Sequence, residues 1–185
     1  MQRSSEPPST GAAITAMQLR FMTLDELLSL YRGLAAPPFG EMHGEYAATL
    51  LEQGSGRAFI AAQVVLNIKG RWLCKAFEPT GPDEGHGYNS FMTSRGIKRA
   101  GRMKTRIGPS KIPGDSNPSF HLEYADFNSF RRGGPGGAML HTMFDEVRRA
   151  GPGLHLGIGR TGFTKQQLAQ LHPFLLEGPV AEFVT

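Results

Sequence analysis

Residues 138–163 read AMLHTMFDEVRRAGPGLHLGIGRTGF. Apolar and polar residues alternate through Leu140–Arg149, AGPG at Ala150–Gly153 supplies turn chemistry, and the alternation resumes over Leu154–Ile158. A period of two on both sides of a Gly-Pro turn reads as a β-hairpin. Pairing the arms with Arg149 opposite Leu154 and Arg148 opposite His155 puts Met143, Asp145, Val147, Leu154, Leu156 and Ile158 on one face. Phe144, Glu146, Arg148, His155, Gly157 and Gly159 then share the other. Asp145 is thereby expected on the more apolar face. Register across a Gly-rich turn is weakly fixed, and a slip of one residue exchanges the two faces.

Upstream, Thr23-Leu24-Asp25-Glu26 forms a capping box, and Leu24, Leu27, Leu28, Tyr31 and Leu34 follow at helical spacing until Pro37-Pro38. This is one short amphipathic helix. Gly44 to Leu51 reads as a strand, and Ala58–Lys69 is an apolar run that periodicity leaves open between helix and strand. Gly70 to Phe77 alternates, with Trp72, Cys74 and Ala76 on one face and Leu73, Lys75 and Phe77 on the other. A loop spans Pro79–Gly87, and strands are expected over Tyr88–Thr93 and Phe120–Phe127. Arg131–Gly137 reads as a Gly-Pro linker into the hairpin. Beyond it come a short helix over Thr164–Leu171, capped by Thr164, and a last strand over Pro173–Leu176. One early helix followed by about eight to ten short strands, with turns every ~8–12 residues, is the rhythm of a closed barrel or a sandwich.

At 185 residues, with 24 Gly and 13 Pro spread between apolar runs, the chain fits one domain of many short strands. The first ~20 residues are polar and Pro-rich and read as a flexible arm, leaving 21–185 as the domain. No run approaches the ~20 apolar residues that a membrane-spanning helix needs. The single Cys74 excludes an intrachain disulfide and a cysteine-cluster metal site, and fits a reducing, cytoplasmic setting.

Gly44-Glu45-Tyr46 after a short helix, the strand Trp72-Leu73-Cys74-Lys75-Ala76-Phe77, and Asp145-Glu146-Val147-Arg148 followed by Gly153-Leu154-His155-Leu156-Gly157 together resemble calycin-like barrels. The pattern is similar to that of lipocalin-like and GXWXG-type bacterial proteins, over roughly Leu24 to Phe183. The resemblance would give Gly44 and Tyr46 the places of a lipocalin Gly-x-Trp, with Tyr replacing Trp, and would make Arg148 the arginine that crosses the closed end. Trp72-x-x-Lys75-x-Phe77 resembles the GXWXG-type Trp-x-Gly-Lys-x-Phe, with Cys74 in place of glycine. It implies a small antiparallel barrel around an apolar cavity and no particular reaction.

Gly157-Ile158-Gly159-Arg160-Thr161-Gly162 matches the dinucleotide fingerprint, with Glu177 at a suitable distance. A Rossmann half needs further strands after that glutamate, and only eight residues follow it. No cofactor is therefore assigned. The run Arg95, Lys98, Arg99, Arg102, Lys104, Arg106 and Lys111 holds seven cations and no acid, at a net chain charge of +4. Without interleaved aromatics it reads as a solvated outer face, which argues against a nucleic-acid partner. Among six histidines no pair has zinc-protease spacing, and neither His43 nor the His121–Glu123 pair makes a metal site; none is assigned. Asp145 and Glu146 beside Arg148 are read either as partners of a barrel-closing arginine or as an acid–base site.

The expectation is a mainly β protein, a single antiparallel β-barrel of calycin type with a short N-terminal helix. It would bind a small hydrophobic metabolite through Tyr46, Trp72, Lys75, Phe77, Tyr88 and Arg148. The alternative is an enzyme that uses the same cavity for isomerisation, cyclisation or dehydration, with Asp145, Glu146 and His155 as candidate catalytic residues. No oligomeric state follows from the sequence.

Overall fold

The structure is a computed structural model that describes residues 14–67 and 69–185. Eight strands pair antiparallel, each with its sequence neighbour, and the eighth returns to the first to close a barrel. They are β1 (Gly44–Leu50), β2 (Arg71–Pro79), β3 (Glu84–Thr93), β4 (Gly96–Pro109), β5 (Pro118–Glu123), β6 (Phe144–Gly151), β7 (Leu154–Arg160) and β8 (His172–Ala181). Helices α1 (Ala16–Phe21) and α2 (Leu24–Gly33) precede β1, α3 (Gly56–Asn67) joins β1 to β2, α4 (Phe130–Thr142) joins β5 to β6, and α5 (Lys165–Leu168) joins β7 to β8. Closure leaves no free sheet edge, which suits so many short strands.

Two cores share the barrel wall. Inside, Tyr46, Phe77, Met103, Phe120, Leu122, Tyr124, Val147, Phe174 and Leu176 pack together, and Phe39 and Met42 from the turn before β1 plug one end. Outside, Leu19 of α1 and Leu27 and Tyr31 of α2 cover Leu154, Leu156, Ile158 and Leu175 of β7 and β8. Strands β7 and β8 are thus apolar on both faces.

The central hairpin forms one residue out of the expected register. Arg149 pairs with His155 and Arg148 with Leu156, because a bulge between Arg149 and Gly151 takes up a residue before the turn. Asp145 and Val147 consequently share the inner face with Gly159, Gly157 and His155, while Glu146 and Arg148 share the outer face with Ile158 and Leu156. Gly153 turns the hairpin at φ +62°, and a Cβ there would stand 2.7 Å from the carbonyl oxygen of Gly178.

Other expectations need correction. Leu140–Thr142 is helical, and the Gly-Pro segment expected as a linker lies inside α4, which is interrupted by non-helical backbone at Gly133 and Gly134. Ser129 caps that helix by accepting from the amide of Arg132. The ambiguous Ala58–Lys69 run is helix α3 over most of its length. The arm expected over the first ~20 residues falls partly outside the described residues, but Ala16–Phe21 is a helix with its own capping box and a fully buried Leu19. Among the described residues five α-helices accompany the barrel; α2 and the Thr164-capped α5 were expected, α3 was left open, and α1 and α4 were not foreseen. Among the described residues no helix is long and apolar enough to cross a membrane.

Candidate functional site

The plugged end leaves the opposite end of the barrel as the mouth, where β1 ends, β2 begins and all three connecting helices lie. A cavity of about 340 Å³ opens there. Its roof is α3, whose Ala58, Ala61, Ala62, Val65 and Leu66 recur at helical spacing along one face, together with Met139 and Leu140 of α4. Its floor is the barrel interior at Trp72, Lys75, Asn89, Asp145 and Phe174.

The floor carries a buried polar network. Lys75 Nζ donates to Asp145 Oδ2 at 2.7 Å, to the Tyr124 hydroxyl at 2.6 Å and to Asn89 Oδ1 at 3.2 Å. Tyr124 donates its hydroxyl hydrogen bond to Asp145 Oδ2 at 2.9 Å. Trp72 Nε1 and Lys75 share Asn89 Oδ1, and Asn89 Nδ2 is anchored on the carbonyl of Gly101, so the amide orientation is set. The ammonium also lies 5.1–5.3 Å from the ring centroids of Phe174, Trp72 and Tyr124. All three N–H donors of the ammonium are used, and both bonds to Asp145 fall on Oδ2. Among the described residues no hydrogen bond reaches Oδ1, the acceptor left for a molecule in the cavity.

Electrostatics follow from this burial. Removal from water pushes the Lys75 amine below its ordinary pKa, and the Asp145 carboxylate opposes that shift. The Tyr124 phenol is held well above its usual value, by burial first and by Asp145 second. His172 lies beside Gly159, which in turn pairs with Asp145, so the imidazole and the carboxylate flank one glycine on adjacent strands. Burial lowers the His172 pKa against the pull of Asp145, and its Nδ1 is engaged by Gln53 Oε1 at 2.8 Å.

The glycines of the dinucleotide-like run serve this interior. A Cβ on Gly157 would stand 2.1 Å from the Phe174 ring, and one on Gly159 2.9 Å from Asp145 Oδ1. Gly157 and Gly159 lie within β7, an antiparallel strand, where a phosphate-binding fingerprint requires a strand-to-helix turn.

Of the residues singled out from sequence, the cavity brings together Trp72, Lys75 and Asp145. A bulge at Leu73 puts Trp72 on the same side as Lys75, correcting the strict alternation. Tyr46 and Phe77 are interior but pack at the plugged end, with centroids 5.6 Å apart. His155 meets Tyr46 edge-on there at 5.4 Å, and among the described residues its buried Nδ1 has no hydrogen-bond partner. Burial, with Arg149 adding, lowers its pKa to about 4.

Three residues lie outside the barrel wall. Tyr88 donates to Glu45 Oε1 at 2.8 Å on the outer face, beside Arg99. Glu146 accepts from Ser110, Ser119, the Lys111 amide and Tyr31. Arg148 is fully buried beneath α2, its guanidinium carbon 4.5 Å from the Tyr31 ring centroid and its nitrogens on the carbonyls of Tyr31, Asn117 and Pro118 and on Asp115. The ring it stacks on is Tyr31 of α2; the even positions of β6 face outward, so Arg148 does not cross the barrel interior to Tyr46 as the resemblance implied. Neither Glu146 nor Arg148 reaches the cavity.

Sequence reasoning missed Tyr124, Asn89 and His172. Continuing the period of two from Phe120 and Leu122 points Tyr124 inward, and Asn89 pairs directly with Lys75. His172 carried no local signal. Among the described residues no group of three or more His, Cys, Asp or Glu side chains could hold a metal ion.

No protein-family model matches the chain, and no curated protein does. A crystal structure of a protein from Thermomonospora curvata is similar over 84% of this chain and 87% of that one, with a TM-score of 0.53 and 14% identity. At that identity the likeness concerns the fold alone.

Proposed function

We propose that the barrel binds a small, mostly apolar molecule whose polar end meets Asp145 and Lys75. The observation that carries this reading is an apolar cavity ending on a buried polar network in which one carboxylate oxygen has no hydrogen-bond partner among the described residues. Pockets of this kind take affinity from apolar contact and orientation from a few polar groups. The calycin-like resemblance of the sequence points the same way.

Calorimetric titration with linear alcohols, aldehydes and carboxylic acids of increasing chain length tests it. Affinity rises by about 0.8 kcal/mol for each methylene buried and stops rising once the cavity is full. Filling the roof with Ala62→Phe removes the binding. Absence of saturable binding across all three series, or binding unchanged in Ala62→Phe, overturns the reading.

One arrangement favours a second reading, an enzyme that moves a proton during isomerisation, cyclisation or dehydration. Asp145 and His172 line one cavity from either side of Gly159, and burial favours the neutral imidazole. Solvent-deuterium incorporation into a bound ketone or aldehyde, lost in Asp145→Asn and His172→Gln with binding retained, separates the enzyme from the carrier.

A further inference from the structure

The mouth of the barrel differs from the rest of the surface in two respects. Among the described residues eight large apolar side chains are more than half exposed: Met17, Phe21, Ile60, Val64, Ile97, Phe130, Phe163 and Val180. Five of them sit on segments that join the strands at the mouth: Ile60 and Val64 on α3, Ile97 at the β3–β4 turn, Phe130 at the start of α4, and Phe163 before α5. On α3 the cavity takes one face, while Arg57, Ile60 and Val64 form the opposite, exposed stripe. A helix apolar on both faces is unusual at a free surface.

The charge of the same segments is one-sided. Arg57, Lys69, Arg95, Arg131, Arg132 and Lys165 face only Glu52 and Asp126, and Asp126 is paired with Lys104. Beside α3, a notch between Lys69 and the turn Thr93–Lys98 brings Lys69, Arg95 and Lys98 together, and among the described residues no carboxylate pairs with any of them. Burial, and then the charge of Lys98, lower the Lys69 pKa. Cations left without counterions beside exposed aliphatic side chains complement a surface that offers anionic headgroups above hydrocarbon.

We infer that the mouth of the barrel docks on an anionic lipid surface, with Ile60 and Val64 entering the headgroup boundary and Arg95 and Lys98 meeting phosphate groups. This is independent of what the cavity holds, since none of these four side chains lines it.

Co-sedimentation with vesicles of equal parts phosphatidylglycerol and phosphatidylcholine tests it, with pure phosphatidylcholine vesicles as the second arm. The wild-type chain sediments with the anionic vesicles at low salt, is released as salt rises, and stays in solution with phosphatidylcholine. Arg95→Ala with Lys98→Ala weakens partitioning on the order of thirtyfold, from about one kcal/mol per cation near the surface. Ile60→Gln with Val64→Gln weakens it by at least about tenfold. All four side chains are exposed, so the unfolding midpoints of both variants stay at the wild-type value. Three results overturn the inference: no sedimentation with anionic vesicles at low salt, equal sedimentation with both vesicle types, or wild-type partitioning by either variant. A dimer that Ile60→Gln with Val64→Gln dissociates, without vesicle binding, assigns the face to a second copy and also overturns it. The cavity titrations distinguish these failures from a failure of the ligand reading.

Discussion

Replacing Arg148 with alanine removes a fully buried cation that several groups depend on. Its guanidinium binds Asn117 O at 2.7 Å, Tyr31 O at 2.9 Å and Pro118 O at 3.2 Å, forms an ion pair with Asp115 Oδ2 at 2.8 Å, and stacks on Tyr31 at 4.5 Å. The alanine variant leaves the 2%-exposed Asp115 carboxylate without its cation, while the carbonyls of Tyr31 and Asn117 keep only their backbone donors, Leu34 N and Ser110 N. Breaking a buried pair on one side costs about 3–5 kcal/mol, and each lost charge-assisted bond adds to that unless water enters. A loss of about 4 kcal/mol or more is expected, a large share of the ~5–15 kcal/mol that holds an ordinary domain together. Urea unfolding followed by far-ultraviolet circular dichroism measures it. Arg148→Lys recovers only part, because an ammonium cannot fork across these acceptors. Pairing Arg148→Met with Asp115→Asn removes the stranded charge, so the double variant is more stable than the two single losses added together. An alanine variant within about 1 kcal/mol of wild type, or strict additivity in the double variant, refutes the reasoning.

Three further outcomes follow from the interior. Lys75→Met or Asp145→Asn each costs about 3 kcal/mol by stranding a buried partner, whereas the combined variant recovers stability without recovering affinity for a ligand's polar end; unfolding and titration of the three proteins check this. The His155 pKa falls from 6.5 to about 4 on folding, so the unfolded chain binds more protons between those values. Stability present above pH 6.5 is therefore lost as pH falls towards 4, by about 3 kcal/mol, and midpoints measured across that range decline less steeply in His155→Phe. Gly157→Ala drives a methyl into the Phe174 ring, costs about 1–3 kcal/mol, and shifts Trp72 emission, because Trp72 meets Phe174 edge-on at 6.0 Å.

The barrel was legible because its strands keep a period of two between Gly-Pro turns, and because the capping box at Thr23 fixed α2 without tertiary help. What failed to show has physical causes. The bulges at Leu73 and at Ala150 each shift the alternation by one residue, so Trp72 and the arms of the hairpin came out on the wrong faces relative to their partners. Helix α4 contains three consecutive strong breakers, Gly133, Gly134 and Pro135, and is carried by its Ser129 cap and by Met139 and Leu140 over the cavity. Asp145 and Lys75 could each be singled out locally, yet their pairing spans four strands of the closed barrel and depends on closure. Arg148 was singled out as a barrel-closing arginine, but the ring it stacks on belongs to α2, an element whose docking position no local pattern encodes.

Trp72 is the chain's single tryptophan and lies in the cavity wall, hydrogen-bonded to Asn89. Its emission therefore reads the site directly. Titration with an aliphatic alcohol brominated along its chain should quench Trp72 saturably with one-to-one stoichiometry, and Ala62→Phe should abolish the saturable phase while leaving the unfolding midpoint near wild type. Quenching that grows linearly to the solubility limit, or a saturable phase that survives Ala62→Phe, contradicts a ligand-binding cavity over the Lys75–Asp145 floor.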